Sequence, residues 1–163
     1  MNLEIVTKSK LETQKTGFVL ASVLEPTSNH ALTIALEGNL GSGKTTFIQG
    51  LAKGLKVKEN VLSPTFLILK EFSIIASGLK NFYHIDAYRL KNPNELLELG
   101  FKDLIKNPEN LIVIEWADKI KKILPKNILN IRFINLGKNQ RKILYESKGK
   151  VRVLNHNETI DRW

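Results

Sequence analysis

The residues with the clearest chemistry in this chain lie in one glycine-rich segment near residue 40. The segment satisfies the pattern G-x-x-x-x-G-K-[ST] and reads Gly38-Asn39-Leu40-Gly41-Ser42-Gly43-Lys44-Thr45-Thr46. Glycines let such a loop curl so that successive backbone N–H groups point at a chain of phosphates. Lys44 can then neutralise the β and γ phosphates, the Thr45 hydroxyl can bind Mg²⁺, and Thr46 can reach the α phosphate. The segment therefore predicts a nucleotide site that uses residues 39–46, with Lys44 as its catalytic cation.

Two acidic side chains follow apolar runs downstream of this loop, where a phosphate-binding loop needs a carboxylate near its metal ion. Asp86 follows the run 82–85, and Glu115 follows the run 111–114. The pattern alone does not rank them, because Glu115 ends the more regular strand whereas the shorter Asp86 suits a metal shell. We keep both as candidate catalytic residues and, together with Thr45, as candidate magnesium ligands.

The hydrophobic pattern predicts the elements that must position these side chains. Helices are expected over about 10–25 and 44–55, and a third between Asn92 and Gly100 with Asn92, Pro93 and Glu95 in its first turn. Short apolar or alternating runs predict strands at 31–36, 66–72, 81–85, 111–114, 128–134, 141–146 and 150–154. The strands at 66–72 and 81–85 should form an antiparallel hairpin. The expected fold is α/β, with a central mixed β-sheet flanked by helices and a short antiparallel meander at the C-terminus.

Length and composition limit the number of domains and the classes of protein that this sequence can form. The chain has 163 residues, of which 42% are hydrophobic and 25% charged. A chain of this length with this balance favours one domain over 1–163, with the last few residues as a flexible tail, and argues against disorder or a coiled coil. Since there is no cysteine, disulfides, thiolate zinc sites and a cysteine nucleophile are excluded.

The net charge of +9 raises the prior for an anionic partner. Most of it lies in the last third, because residues 110–163 hold 12 basic and 5 acidic side chains. Twenty of the 25 basic residues are lysine, which an AT-rich genome would also produce, and a specific nucleic-acid site would favour arginine. The charge therefore leaves two interpretations open, a surface that binds nucleic acid and a solvated basic face.

The sequence contains neither the apolar core of a signal peptide nor an apolar run of about 18 residues that could cross a membrane. We therefore expect a cytoplasmic protein without a membrane partner.

Four separated blocks of sequence together resemble the bacterial TsaE (YjeE) family, the small ATPases of tRNA threonylcarbamoyladenosine biosynthesis. The blocks are the loop with its preceding Leu36-Glu37, then Ser63-Pro64-Thr65-Phe66, then His84-Ile85-Asp86-Ala87-Tyr88-Arg89, and finally Glu115-Trp116. Their order and spacing agree with the family over most of the chain. Phe66 departs from it, since family members often carry Tyr there.

The resemblance implies an activity, cofactors and partners. It implies a P-loop ATPase that binds ATP and Mg²⁺ and acts with TsaB and TsaD homologues. It also implies that the protein contacts tRNA indirectly, through its complex with these partners. It implies that Thr65 is a catalytic residue of a nucleotide-sensing switch and that Asp86 belongs to the magnesium site. It also places Glu115 and Trp116 in the active centre, with Thr13 and Gly17 as candidates for the base pocket.

Three other functions share the same phosphate loop. A small-molecule kinase would need an acceptor pocket and an arginine-rich lid, yet the five arginines do not cluster in sequence. A non-hydrolysing nucleotide switch would not need the intact set Lys44, Thr45, Asp86 and Glu115. A GTPase is disfavoured, because Ala117-Asp118-Lys119 does not match the guanine-reading N-K-x-D.

Overall fold

A seven-stranded mixed β-sheet forms the centre of the computed structural model, which describes residues 2–64, 66–74 and 78–147. The strands lie in the order β1-β7-β6-β2-β5-β4-β3. Pairing is parallel between β2 and both β5 and β6, and between β4 and β5, whereas the outer pairs are antiparallel. The strands are β1 (Asn2–Thr7), β2 (Leu32–Glu37), β3 (Leu69–Ser73), β4 (Asn81–Asp86), β5 (Asn110–Glu115), β6 (Leu129–Gly137) and β7 (Gln140–Ser147).

The helices begin where the sequence supplies caps or the loop requires them. They are α1 (Lys10–Val23), α2 (Lys44–Gly54), α3 (Pro93–Glu98) and α4 (Phe101–Lys106), followed by a 3₁₀ segment at Ala117–Ile123. Ser9 caps α1, and its side-chain oxygen accepts from the Glu12 N–H at 3.1 Å. Asn92 and Glu95 form a reciprocal capping box at α3, with proline at the first helical position, as predicted.

Two hydrophobic layers cover the two faces of the sheet. Helices α1 and α2 pack on one face, where Ile34, Leu36 and Phe82 are completely buried. Helices α3 and α4 and the 3₁₀ segment cover the other face, against residues such as Ile112 and Ile114. Because β2, β4 and β5 are covered on both sides, their sequences are predominantly apolar, and the polar Thr33 and His84 within them are fully buried. The polar residues that end these strands all lie at one edge of the sheet.

The structure confirms the α/β class and the β3–β4 hairpin, but the first strand of that hairpin starts later than predicted. The prediction began at Phe66, whereas β3 begins at Leu69. The backbone N–H groups of Leu67 and Ile68 both donate to the carbonyl of Pro64, at 2.8 and 2.7 Å, and Ile68 adopts a positive φ of 64°. These bonds close a turn ahead of the strand and shorten it.

Three elements were absent from the sequence prediction: the edge strand β1, the short helix α4 and the 3₁₀ segment. The predicted C-terminal meander is present as the antiparallel pair β6–β7, which joins the main sheet because β6 lies parallel to β2. Strand β1 pairs with the outer side of β7. The predicted strand at 150–154 lies outside the described residues.

Helices α1 and α2 approach each other closely through glycine. A Cβ added at Gly17 would lie 2.2 Å from the carbonyl oxygen of Phe47 and 2.8 Å from the Leu51 nitrogen. Gly50, on the facing helix, would bring a Cβ to 1.9 Å from the carbonyl oxygen of Gln14. The α1–α2 contact therefore needs bare Cα atoms at both positions.

Gly17→Ala is expected to destabilise the protein by about 1–3 kcal/mol through this overpacking. In an open helix the same change would stabilise by about 1 kcal/mol, so the sign of the effect is diagnostic. Urea unfolding measures it, with Ser22→Ala on the exposed side of α1 as the control. A free energy of unfolding that is unchanged or raised in Gly17→Ala would contradict the packing described here.

No helix in the described ranges is long and apolar enough to cross a membrane.

Candidate functional site

The glycine-rich loop connects the end of the central strand β2 to the first turn of α2. Gly38, Gly41 and Gly43 all have positive φ, at 142°, 73° and 106°, which is why glycine is needed at these turns. Gly43 directly precedes the helix, so the loop amides and the helix N-terminus face the same space. This geometry provides a cradle for an anion.

Lys44 is folded back over the loop. Its Nζ donates to the carbonyl oxygens of Gly38 at 2.7 Å and Asn39 at 3.1 Å, and the residue is only 4% exposed. Burial lowers the pKa of the Lys44 ammonium, while Glu115, Asp86 and, more weakly, Asp118 oppose that shift. A buried cation next to carboxylates and open to the loop is well suited to bind phosphate.

Glu115 lies at the centre of a buried hydrogen-bonded set. Both of its carboxylate oxygens accept from the Thr45 hydroxyl, at 3.0 and 2.9 Å, and its Oε1 lies 2.9 Å from His84 Nε2. His84 is fully buried and Glu115 is 3% exposed. His84 thus contacts the carboxylate on its buried side, while Thr45 contacts it on the side next to the loop.

Asp86 reaches the same edge from the neighbouring strand β4 and has different partners. Its Oδ2 accepts from the Ser63 hydroxyl at 2.5 Å, and its Oδ1 accepts from the Tyr88 backbone N–H at 3.0 Å. Asp86 pairs in register with Glu115 across β4 and β5. The segment that begins at Ser63 is therefore tied to a carboxylate at the loop, as a nucleotide-sensing segment would be.

Trp116 follows Glu115 directly and adopts a left-handed backbone conformation, with φ of 59°. This conformation places its ring 4.0 Å from Lys44 Nζ, within range of a cation–π contact. The Tyr88 ring lies 5.0 Å from the Trp116 ring and is tilted against it. The indole therefore forms a wall of the site over the lysine.

The other residues predicted for the site occupy various positions around it. Leu40 is 80% exposed at the tip of the loop, Ser42 is buried beneath it and Thr46 is half-buried in the first turn of α2. Thr65 lies outside the described residues. Arg89 is exposed, and its guanidinium carbon lies 4.3 Å from the centre of the Phe66 ring.

The two residues proposed for the base pocket lie in α1. Thr13 is fully buried, and its hydroxyl is engaged with the Thr7 hydroxyl at 2.9 Å and the Ser9 carbonyl at 3.1 Å. Its methyl carbon would lie 3.5 Å from a Cβ placed on Gly43. Gly17 lies in the α1–α2 contact, where packing accounts for the glycine.

Sequence reasoning missed two neighbours of the site. His84 was given no role of its own, although it lies two residues before Asp86 and therefore on the same face of β4. That spacing is the signal that could have placed it at the carboxylates. Arg141 was assigned to the basic C-terminal surface, although its side chain lies directly against Gly43. No local signal in the sequence indicates this contact.

Nucleotides bind P-loop proteins where a glycine-rich loop leaves a central parallel strand and enters a helix, with a strand-end carboxylate beside it. The loop between β2 and α2, with Glu115 on the adjacent strand, has this arrangement. The chain is thus a nucleotide-binding protein of the P-loop class, and comparison with known proteins places it within that class.

The model of the family "Threonylcarbamoyl adenosine biosynthesis protein TsaE" matches residues 7–143, and the chain belongs to this family. Proteins named tRNA threonylcarbamoyladenosine biosynthesis protein TsaE are similar along most of the chain. The one from Haemophilus influenzae is 36% identical over 122 residues, which cover 74% of this chain and 75% of that protein. The one from Rickettsia prowazekii is 37% identical over 134 residues, covering 82% and 87%.

A solved structure has the same fold. The crystal structure of Bacillus subtilis YdiB superposes with a TM-score of 0.72 at 29% identity, over 91% of this chain and 87% of that one. This likeness supports the P-loop architecture derived above.

Proposed function

We propose that this protein is a Mg²⁺-dependent ATPase that serves the formation of threonylcarbamoyladenosine in tRNA. The observation that carries the hydrolase assignment is the contact of the Thr45 hydroxyl with both oxygens of Glu115, next to the buried Lys44. A buried carboxylate in contact with the threonine of the loop is the arrangement that a P-loop hydrolase uses to position its metal ion and its water.

The residues present fit ATP and Mg²⁺. Three glycines with positive φ keep side chains out of the cradle, and Lys44 supplies the charge that triphosphate requires. The described residues contain no cluster of three His, Asp or Glu side chains that could hold a metal by themselves. Magnesium at phosphates needs only one or two protein oxygens, which Thr45 and Asp86 would provide. When bound, the ion would neutralise charge on the phosphates.

Within this proposal the side chains have distinct tasks. Lys44 exchanges its two loop carbonyls for phosphate oxygens and stabilises the charge that develops during transfer. Glu115, held by His84, orients the attacking water and accepts its proton. Ser63, which donates a hydrogen bond to Asp86, would move with the nucleotide state. We expect Thr65, two residues further along the chain, to close over the phosphates.

The names of the relatives support the place of this activity in tRNA modification. We propose that homologues of TsaB and TsaD are the partners of this protein and that it contacts tRNA indirectly, through its complex with them. Arg89 stacks on Phe66, and no contact joins it to Lys44 among the described residues, so hydrolysis by the isolated protein should be slow. Groups supplied by a partner can accelerate such a site by several orders of magnitude.

The test measures phosphate release from ATP by the purified protein, with and without Mg²⁺, and then with TsaB and TsaD homologues. We expect slow, Mg²⁺-dependent release that the partners accelerate at least tenfold, together with threonylcarbamoyladenosine on a substrate tRNA only when all three proteins are present. Phosphate found on an added metabolite would instead indicate a kinase. Tight ATP binding without phosphate release under any of these conditions would indicate a non-hydrolysing switch.

A further inference from the structure

Arg141 lies against the phosphate loop although it comes from the opposite end of the chain. It is the second residue of β7 and pairs in register with Thr7 of β1 and Asn135 of β6. A Cβ on Gly43 would lie 2.7 Å from Arg141 Nε and 2.8 Å from its Cδ. The side chain therefore packs on the Cα of Gly43, the residue that directly precedes α2.

The hydrogen-bonding capacity of this guanidinium is only partly used. One terminal nitrogen, Nη1, donates to the carbonyl oxygen of Asn139 at 2.8 Å. The Nε atom is buried and has no hydrogen-bond partner among the described residues, within which Arg141 also forms no salt bridge. A buried donor without a partner is costly, so an arrangement of the guanidinium that brings an acceptor to this nitrogen recovers that cost.

The order of the strands indicates which part of a nucleotide Arg141 faces. Glu115 and Asp86 lie on β5 and β4, on one side of β2, and they mark the end of the cradle that holds the terminal phosphate. Arg141 lies on β7, on the other side of β2, at the same edge of the sheet. A phosphate chain that starts at the carboxylates and runs through the loop therefore ends, at its nucleoside end, on the side of Arg141.

We propose that Arg141 is a nucleotide-binding residue that recognises the phosphate next to the ribose. The guanidinium is planar, permanently charged and geometrically matched to phosphate oxygens, and its stem is already fixed against Gly43. Lys44 and Arg141 would then hold the two ends of the phosphate chain from opposite sides of the loop. This inference rests on the proposed function, since it requires a nucleotide in the cradle.

Calorimetric titration with ADP tests the assignment in three variants of the full chain. Arg141→Met keeps the packing of the stem on Gly43 but removes the charge, and we expect it to weaken ADP binding about 10- to 100-fold. Arg141→Lys restores a cation without the planar group and should recover part of the affinity. Arg132→Gln, which removes an arginine from β6 that pairs with Glu37, is the matched control and should bind within twofold of the unchanged protein.

Thermal unfolding without nucleotide accompanies each titration, because a contact that only stabilises the hairpin would lower the midpoint without changing the affinity of the folded protein. A folded Arg141→Met protein that binds ADP within twofold of the unchanged chain would overturn the inference and leave the proposed function standing. Failure of the unchanged chain to bind ADP or ATP at all would overturn both.

Discussion

Glu115→Gln is expected to lower the turnover number for ATP about 100- to 1000-fold while ADP affinity stays within about threefold. The carboxylate accepts from Thr45 at 2.9 and 3.0 Å and faces His84 Nε2 at 2.9 Å, so an amide of the same shape keeps the packing but cannot take up a proton. The loop amides and Lys44 remain, which is why binding should survive. Single-turnover phosphate release and ADP titration measure the two quantities separately.

Glu37→Gln provides a matched control for this prediction. Glu37 ends β2 as Glu115 ends the adjacent β5, but its carboxylate pairs with Lys121 and Arg132, and no contact joins it to Thr45 among the described residues. Turnover in this variant should stay within twofold. In Glu115→Gln, activity that recovers at high Mg²⁺ concentration would assign Glu115 to the metal ion instead of to the water, and an unchanged turnover number would refute both roles.

The phosphate cradle could be predicted from the sequence because its determinants are consecutive. Between Gly38 and Thr46, the glycines fix the turns and the following apolar periodicity fixes the helix, so no distant contact is needed to define the shape. The strand runs that carry Asp86 and Glu115 were predicted for a similar reason, since strands buried on both faces are predominantly apolar.

The partners of those carboxylates could not be ranked from the sequence, because contacts across the sheet depend on strand order. Thr45 and Glu115 are 70 residues apart and meet only because β2 lies next to β5. Ser63 meets Asp86, and Arg141 meets Gly43, through the same long-range arrangement. Sequence reasoning therefore supplied the reactive groups, whereas the sheet topology determined which of them touch.

Strand β1 shows the same limit for the fold. Leu3 and Ile5 are half-buried and alternate with exposed Glu4 and Val6, a weak pattern over only six residues. Its place in the sheet comes from pairing with β7, about 140 residues away in the chain. An edge strand that gains its stability from so distant a partner has little signal of its own.

Lys44→Ala is expected to weaken ADP and ATP binding at least about 100-fold, because two or more charge-assisted hydrogen bonds to phosphate are lost in a buried site. The lysine already lies inside the site, within reach of two loop carbonyls and 4.0 Å from the Trp116 ring. The groups that replace water around its ammonium are therefore in place before a nucleotide arrives. Burial lowers the pKa of Lys44, so a bound phosphate, which favours its charged form, also restores that pKa upward.

The shift of the thermal midpoint on adding nucleotide makes this prediction quantitative. At an ADP concentration of 100 times the dissociation constant of the unchanged chain, binding stabilises that chain by about 2.7 kcal/mol, whereas a variant that binds 100-fold more weakly gains only about 0.4 kcal/mol. Lys53→Ala, at the exposed end of the same helix, should retain the full shift. If Lys44→Ala also retained it, the loop amides alone would hold the nucleotide, and Lys44 would act on the reaction without contributing to binding.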